Sequence, residues 1–374
     1  MKIECDAERL ASAVAAATKV VNTHSTMPIL GTILITARED GTVDVRATDL
    51  ETTLERTVSG ATVMETGSAA VPAKLLSAYL DRLPPGAATL SSDQTHATIT
   101  AGKAHVTLNA FPADEFPIAP DKTGPFEITL SGSKIKDCVR ATEFAASTEE
   151  SRGAVLMSLY LVSAEGRLAM VGTDGYKLAH RSIIVDDGNE AERKLILPAK
   201  AMAEVARNVG TATAVKMTVL GKNDNQVRFE SPEAAITVRC VDGQYPNYRQ
   251  VIPQGPGQVA TVKVVDLVGA LRRARIIANE RANAVNLRVS VESIAISVNS
   301  ATSGSANEDI EISGWTGDPI EITFNSQYML DALDRMDSEI IEIQLGGPVA
   351  PAIMRPAGDT EGSDHFVILM PLRN

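Results

Sequence analysis

The chain has 374 residues and a mass of 39.6 kDa, room for two or three domains with cores of their own. Its formal charge is −12, from 35 Lys and Arg against 47 Asp and Glu, and no apolar run approaches the roughly 18 residues that a membrane-spanning helix needs. Cys5, Cys138 and Cys240 are odd in number and far apart, which excludes a disulfide framework or paired-cysteine metal site and points to a reducing, cytosolic setting.

The start, Met1-Lys2-Ile3-Glu4-Cys5-Asp6, puts acids where an export signal needs cations, and 2–5 reads as a strand. A helix follows, with Leu10, Val14 and Ala17 on one stripe. Strands are predicted over 32–37, 43–47 and 54–58, then a second helix opened by Pro72, then strands over 96–100 and 105–108. A Pro/Gly-rich link over 119–125 closes the unit. The order then recurs: a strand over 126–130, a helix carrying Ile135, Val139 and Ala146, a second helix from Pro198, and a link over 253–258. It recurs again as a strand over 260–264, a helix carrying Leu267, Leu271 and Ile277, and a second helix from Asn325, a good N-cap.

Residue matches support the same period. Thr48-Asp49-Leu50 returns as Thr173-Asp174-Gly175 at an offset of 125, and Val71-Pro72-Ala73-Lys74 as Leu197-Pro198-Ala199-Lys200 at 126. Ala113-Asp114-Glu115-Phe116-Pro117 returns as Asp242-Gly243-Gln244-Tyr245-Pro246 at 129, and Leu80-Asp81-Arg82-Leu83 as Leu333-Asp334-Arg335-Met336 at 253. The chain is three copies of one α+β unit with mostly antiparallel sheets. The expected domains are 1–121, 122–255 and 256–374.

Charge is segregated by element. The six predicted helices (7–21, 72–83, 131–146, 198–208, 263–281, 325–336) hold fifteen cations and nine acids, a net +6, which leaves −18 on the remainder. Lys136 and Arg140, Arg272 and Arg275, and Lys200 and Arg207 each share a helical stripe. Amphipathic helices commonly carry solvated Lys and Arg, but six basic helices in an acidic chain point to a shared phosphate-binding face, held by counterion release without sequence selectivity. The candidates on it are Lys74, Arg82, Lys136, Arg140, Lys200, Arg207, Arg272, Arg273 and Arg275. Aromatic residues are only 4% of the chain, too few for the stacking platforms that grip single strands. Duplex backbone is the better partner.

No phosphate-loop or dinucleotide glycine motif occurs, the five histidines show no metal-ligand spacing, and no nucleophile elbow is present. Asp49 and Asp174 occupy equivalent repeat positions and read as turn caps. The expectation is a protein without catalytic residues, metal or cofactor.

Three tandem copies, Met27-Pro28-Ile29-Leu30 after the first helix, Thr173-Asp174-Gly175, Tyr245-Pro246-Asn247-Tyr248, and the ending Met370-Pro371-Leu372-Arg373-Asn374 together resemble the bacterial DNA polymerase III beta subunit family, the replicative sliding clamps. The resemblance covers the whole chain. It implies a cytoplasmic, non-catalytic processivity factor: a homodimeric, head-to-tail ring around double-stranded DNA, helices inside and sheets outside. Helices about 10 Å apart give a lining of roughly 60 Å for six and 120 Å for twelve, diameters of about 19 and 38 Å, so two chains are needed around a duplex roughly 20 Å wide.

The resemblance also implies that His24 contacts DNA, and that Val106 and Leu108 on an edge strand meet Ile276 and Ile277 of the next chain. It implies an apolar pocket for short peptide motifs of the polymerase III catalytic subunit, the clamp loader, other polymerases and repair proteins. The matching positions are Val155, Thr173, Gly175, Leu178, Pro246, Val251, Asn325, Tyr328, Val349, Met370, Pro371 and Arg373. The chain departs from the family pattern at Tyr176-Lys177, where a His-Arg pair is often seen, and at Gln250 and His24, where Arg is common. The competing classes are a triplicated enzyme with a site between domains and a protein scaffold that does not bind DNA.

Overall fold

The computed structural model describes residues 1–374 except 23–24, 94, 120–121, 186–191, 222, 254–256, 279–282, 359–363 and 373–374. The first copy runs β1 (Lys2–Asp6), α1 (Ala7–Thr18), β2 (Thr32–Ala37), β3 (Val43–Thr48), β4 (Thr52–Thr57), β5 (Thr62–Glu65), β6 (Gly67–Pro72), α2 (Ala73–Leu80), β7 (Ala87–Ser92), β8 (His96–Ala101) and β9 (Ala104–Asn109). The second runs β10 (Phe126–Leu130), α3 (Gly132–Thr142), β11 (Ser158–Ala164), β12 (Arg167–Thr173), β13 (Lys177–Ile184), β14 (Arg193–Pro198), α4 (Ala199–Val209), β15 (Val215–Leu220), β16 (Gln226–Glu230) and β17 (Ala234–Arg239). The third runs β18 (Gln258–Lys263), α5 (Val264–Ile277), β19 (Ala284–Val289), β20 (Ser293–Ser300), β21 (Gly304–Glu311), β22 (Ile320–Asn325), α6 (Ser326–Asp334), β23 (Ile340–Leu345), β24 (Ala352–Pro356) and β25 (Asp364–Leu369).

Local chemistry explains the helix ends. Asp6 accepts from the amides of Glu8 and Arg9, both at 3.0 Å, and so caps α1. Leu10, Val14 and Ala17 form its buried stripe. Asn325 caps α6 in the same way, accepting from Gln327 at 2.9 Å and Tyr328 at 3.3 Å. Pro72 and Pro198 lie one residue before α2 and α4, not inside the first turn. The described helices are shorter than the predicted 7–21, 131–146 and 263–281. After α3 the chain tightens into a 3-10 turn over Glu143–Ala145, and the Thr142 hydroxyl bonds back to the Cys138 carbonyl at 2.7 Å; such back-bonding loosens a helix end.

All strand pairings among the described residues are antiparallel, and the fold is α+β. The chain divides into two compact units, residues 1–136 with 200–240, and residues 137–199 with 241–374. The first unit holds an eight-stranded sheet, β6-β2-β3-β4-β17-β16-β15-β10, and a five-stranded sheet, β5-β1-β7-β8-β9. The second holds an eight-stranded sheet, β14-β11-β12-β13-β25-β24-β23-β18, and a four-stranded sheet, β22-β19-β20-β21. The two eight-stranded sheets match strand for strand. In each, the last strand of one copy's first half pairs with the last strand of the next copy's second half, as β4 with β17 and as β13 with β25. Packing therefore joins neighbouring repeats through continuous sheets.

The matched sheets carry different side chains at the joint. In the first unit, Arg228 on β16 is almost fully buried, its side chain 2% exposed. Its Nη1 donates to Glu55 on β4 at 2.6 Å and its Nη2 to Glu230 at 3.3 Å. In the second unit the register places Ile353 where Arg228 stands, His180 where Glu55 stands, Leu178 for Thr53 and Ile368 for Thr237. One face is closed by a buried ion network. The other is apolar and aromatic.

Candidate functional site

The apolar face belongs to the second unit. The turn from β12 to β13 is shaped by its own side chains. Asp174 Oδ1 accepts from the amides of Tyr176 and Lys177, both at 2.9 Å, and the Thr173 hydroxyl accepts from Gly175 at 3.1 Å while donating to the Lys177 carbonyl at 2.7 Å. Gly175 sits at φ +89°, with open space where a Cβ would project, so glycine is favoured there for its backbone. The same bonds form at Asp49 and Thr48 in the first copy. The two aspartates are turn caps.

Beside this turn lies a cavity of about 180 Å³. Thr173, Gly175, Leu178, Pro246, Val251 and Met370 line it, together with Leu156, Tyr176, Lys177, Asn247, Tyr248 and Ile368. Leu178 and Ile368 are directly opposed on β13 and β25 and are 3% and 1% exposed. Met370 is held at the rim by its amide bond to the Tyr176 carbonyl at 2.9 Å, and Leu372 bonds Thr323 at 2.8 Å. The tail does not finish a sheet edge: β25 is an interior strand between β13 and β24, and the residue after it walls the cavity.

The other expected pocket positions fall around it. Val155 is half-buried against the Val171, Leu178 and Tyr245 cluster. Tyr328 packs its ring under the Lys177 ammonium at 4.4 Å, and Asn325 spends its side chain on capping α6. Val349 is exposed, Pro371 is half-buried, and Arg373 lies outside the described residues. Among residues the sequence reading did not assign to the pocket, Asn247 and Tyr248 stood inside the quoted Tyr245-Pro246-Asn247-Tyr248 motif, whereas Leu156 and Ile368 gave no separate signal.

Lys177 is no free cation. It is buried, ion-paired with Asp174 and covered by Tyr328. Arg152 instead offers positive charge nearby, its guanidinium 4.8 Å over the half-exposed Tyr176 ring. Below the pocket, Tyr160 stacks on Tyr245 at 4.8 Å and 6°, and His180 stacks on Phe366 at 4.6 Å and 11°. Burial pushes the His180 imidazole below its usual range, against the opposing pull of Asp364, whose carboxylate is 3.8 Å away.

The basic-face candidates are all exposed except His24, which lies outside the described residues. Three are partly neutralised. Arg140 bonds Asp337 at 3.3 Å and the Asp334 carbonyl at 3.0 Å. Arg207 pairs with Glu204 one turn away, and Arg273 pairs with Glu308 on β21, one bond at 2.9 Å. Arg273 therefore leans toward the sheet edge, away from the stripe of Arg272 and Arg275. Those two, with Lys74, Arg82, Lys136 and Lys200, make no ion pair among the described residues.

Val106 and Leu108 are half-buried on β9, the outer strand of the five-stranded sheet. Ile276 is 78% exposed, and Ile277 packs half-buried on the core of its own unit. Among the described residues, no group of His, Cys, Asp and Glu has metal-binding geometry, and no helix is long and apolar enough to cross a membrane.

A three-copy α+β chain joined by continuous sheets, with one apolar pocket at a joint and cations on its helices, defines the class of DNA clamps. Profiles of the DNA polymerase III beta subunit match in chain order: the N-terminal domain over residues 1–120, the central domain over 129–247 and the C-terminal domain over 249–373. The beta sliding clamp of Synechococcus elongatus is 29% identical over 385 residues, with all of both chains covered. Among solved structures, the sliding clamp of Bacillus subtilis aligns at TM-score 0.93 and 28% identity, covering 100% of this chain and 99% of that one. The Bartonella birtlesii clamp, solved bound to griselimycin, aligns at 0.91 and 30% identity with both chains fully covered. The chain belongs to the bacterial DNA polymerase III beta subunit family, the sliding clamps of DNA replication, and is a non-catalytic accessory subunit.

Proposed function

We propose that two copies of this chain close head to tail into a ring around duplex DNA, in the cytoplasm, and tether replication and repair proteins through the β13–β25 pocket. The three clamp domains are assigned to 1–121, 122–255 and 256–374. One observation carries the ring. The joint of β4 with β17 links copy one to copy two, and that of β13 with β25 links copy two to copy three. By the same rule β21 of copy three and β9 of copy one each lack a partner, and both are outer strands of their sheets. Pairing β9 of one chain with β21 of another repeats the joint a third time and closes six copies into a circle. Val106, Leu108, Ile276 and Ile277 then contribute the apolar part of that contact.

Inside the circle, the unpaired Lys74, Arg82, Lys136, Lys200, Arg272 and Arg275 meet phosphate, with the weaker, internally paired Arg140, Arg207 and Arg273, and His24, as further contacts. Such contacts give sequence-independent, salt-sensitive attraction, and enclosure makes strong adhesion unnecessary. The pocket takes apolar side chains of peptide motifs from the polymerase III catalytic subunit, the clamp loader, other polymerases and repair proteins. A Met-bearing wall adapts to several such ligands. Protein loaded on nicked circular DNA should stay bound through gel filtration and be lost once the circle is cut. Equal retention on circular and linear DNA refutes enclosure.

A further inference from the structure

A second depression adjoins the pocket. It has a volume of about 500 Å³ and shares Pro246, Asn247 and Tyr248 with the pocket as a common wall. Its floor is the stacked pair Tyr160 and Tyr245, with Tyr248 edge-on to Tyr160 at 6.3 Å and 69°. Two cations stand over this floor. Arg249 lies against the Tyr248 side chain, which pushes the already high guanidinium pKa further up, and Lys194 on β14 reaches Glu192 at 2.8 Å. Both cations are exposed, as is Glu192. In the first unit Leu34 and Phe116 occupy the positions of Tyr160 and Tyr245, an aliphatic and an aromatic side chain in place of the stacked pair, in one apolar cluster with Ile29, Leu30 and Ala70.

We infer that this depression receives the flank of the same peptide whose apolar anchor fills the β13–β25 cavity, and that it selects flanks carrying carboxylates. Continuity commits the occupant, because a chain leaving the cavity over the Pro246–Asn247–Tyr248 wall enters the depression directly. Charge commits its chemistry. Arg249 has no carboxylate partner among the described residues, and Lys194 is held only by an exposed ion pair, which an incoming carboxylate can replace at little cost. The aromatic floor supplies apolar contact for the aliphatic part of a Glu side chain. The inference rests on the peptide-pocket reading, and the two fail differently.

The test uses the full chain and synthetic peptides sharing one apolar core taken from a polymerase clamp-binding motif. The core is flanked on either end by two Glu, two Gln or two Lys, and affinity is read by fluorescence anisotropy at low and high salt. With the Glu flank on one end, affinity should exceed that of the Gln peptide several-fold at low salt, and the gain should shrink at high salt. Lys194→Ala with Arg249→Ala should erase the gain while leaving the Gln peptide unchanged, and Glu192→Gln should enlarge it. A gain that survives the double substitution, or Lys flanks binding as well as Glu flanks, overturns the inference. Absence of any binding by the Gln peptide overturns the pocket reading itself, and the inference with it.

Discussion

Single residues show how burial sets chemistry here. His365 is 7% exposed, and desolvation, followed by Arg181 and His180, pushes its imidazole down to about 4. The ordinary value is 6.5, so between pH 6.5 and 4 the unfolded chain binds a proton that the folded chain declines. Stability from this site is complete above 6.5 and lost as pH falls toward 4, about 3 kcal/mol in all. Urea unfolding at pH 7 and pH 5 should show a loss of about 2 kcal/mol from this site, reduced in His365→Gln; an unchanged loss in the variant refutes the assignment. Arg228 makes the opposite case, a charge buried with its partners. Arg228→Ala leaves Glu55 unpaired beneath the sheet and should cost about 3–5 kcal/mol, whereas Arg228→Met with Glu55→Gln should recover most of it. Denaturant midpoints decide between them.

At the level of helices and strands, much was legible beforehand. The strand limits at 126–130 follow from alternation and those at 32–37 from a short apolar β-branched run, and the faces of α1 and α5 follow from period 3.6. Helix lengths were overread, because apolar residues such as Val20, Val21 and Ala146 continue a pattern past the last helical hydrogen bond. The pocket was half legible. Thr173, Gly175, Leu178, Pro246, Val251 and Met370 converge, but Leu156 enters from a segment whose hydropathy resembles any core stretch. Nor can hydropathy show that Lys177 is consumed by Asp174 within its own turn, or that Arg273 on α5 turns to Glu308 on β21; the first depends on the turn's geometry and the second on which strand lies beside the helix. This refines the test of the basic face. Arg272→Ala with Arg275→Ala should lower DNA retention several-fold and reduce the salt slope by about 2. Arg273→Ala alone should change retention little. Equal effects from the two variants would mean that α5 presents no distinct stripe.

For the molecule as a whole, the proposed closure has a sharp test. Counting outward from the two-residue turn Gly102-Lys103, the Thr107 amide points away from β8. Proline is tolerated on an outer strand at such a position, so Thr107→Pro removes one backbone donor toward a neighbouring chain and no backbone bond within its own sheet, where it loses only the exposed hydroxyl contact with Thr98 at 3.2 Å. Light scattering should give twice 39.6 kDa for the parent and one chain's mass for the variant, with thermal stability of the isolated chain preserved. A dimeric variant would place the contact elsewhere. The unlike joints also set an occupancy limit. Copy one to copy two is sealed by Arg228, Glu55 and Glu230, so among the described residues the proposed berth forms at one of the two joints and not at the other. If the proposed ring forms, a closed pair would host at most two clients at a time and any third would have to wait for a vacancy, so exchange would become a matter of turnover and competition.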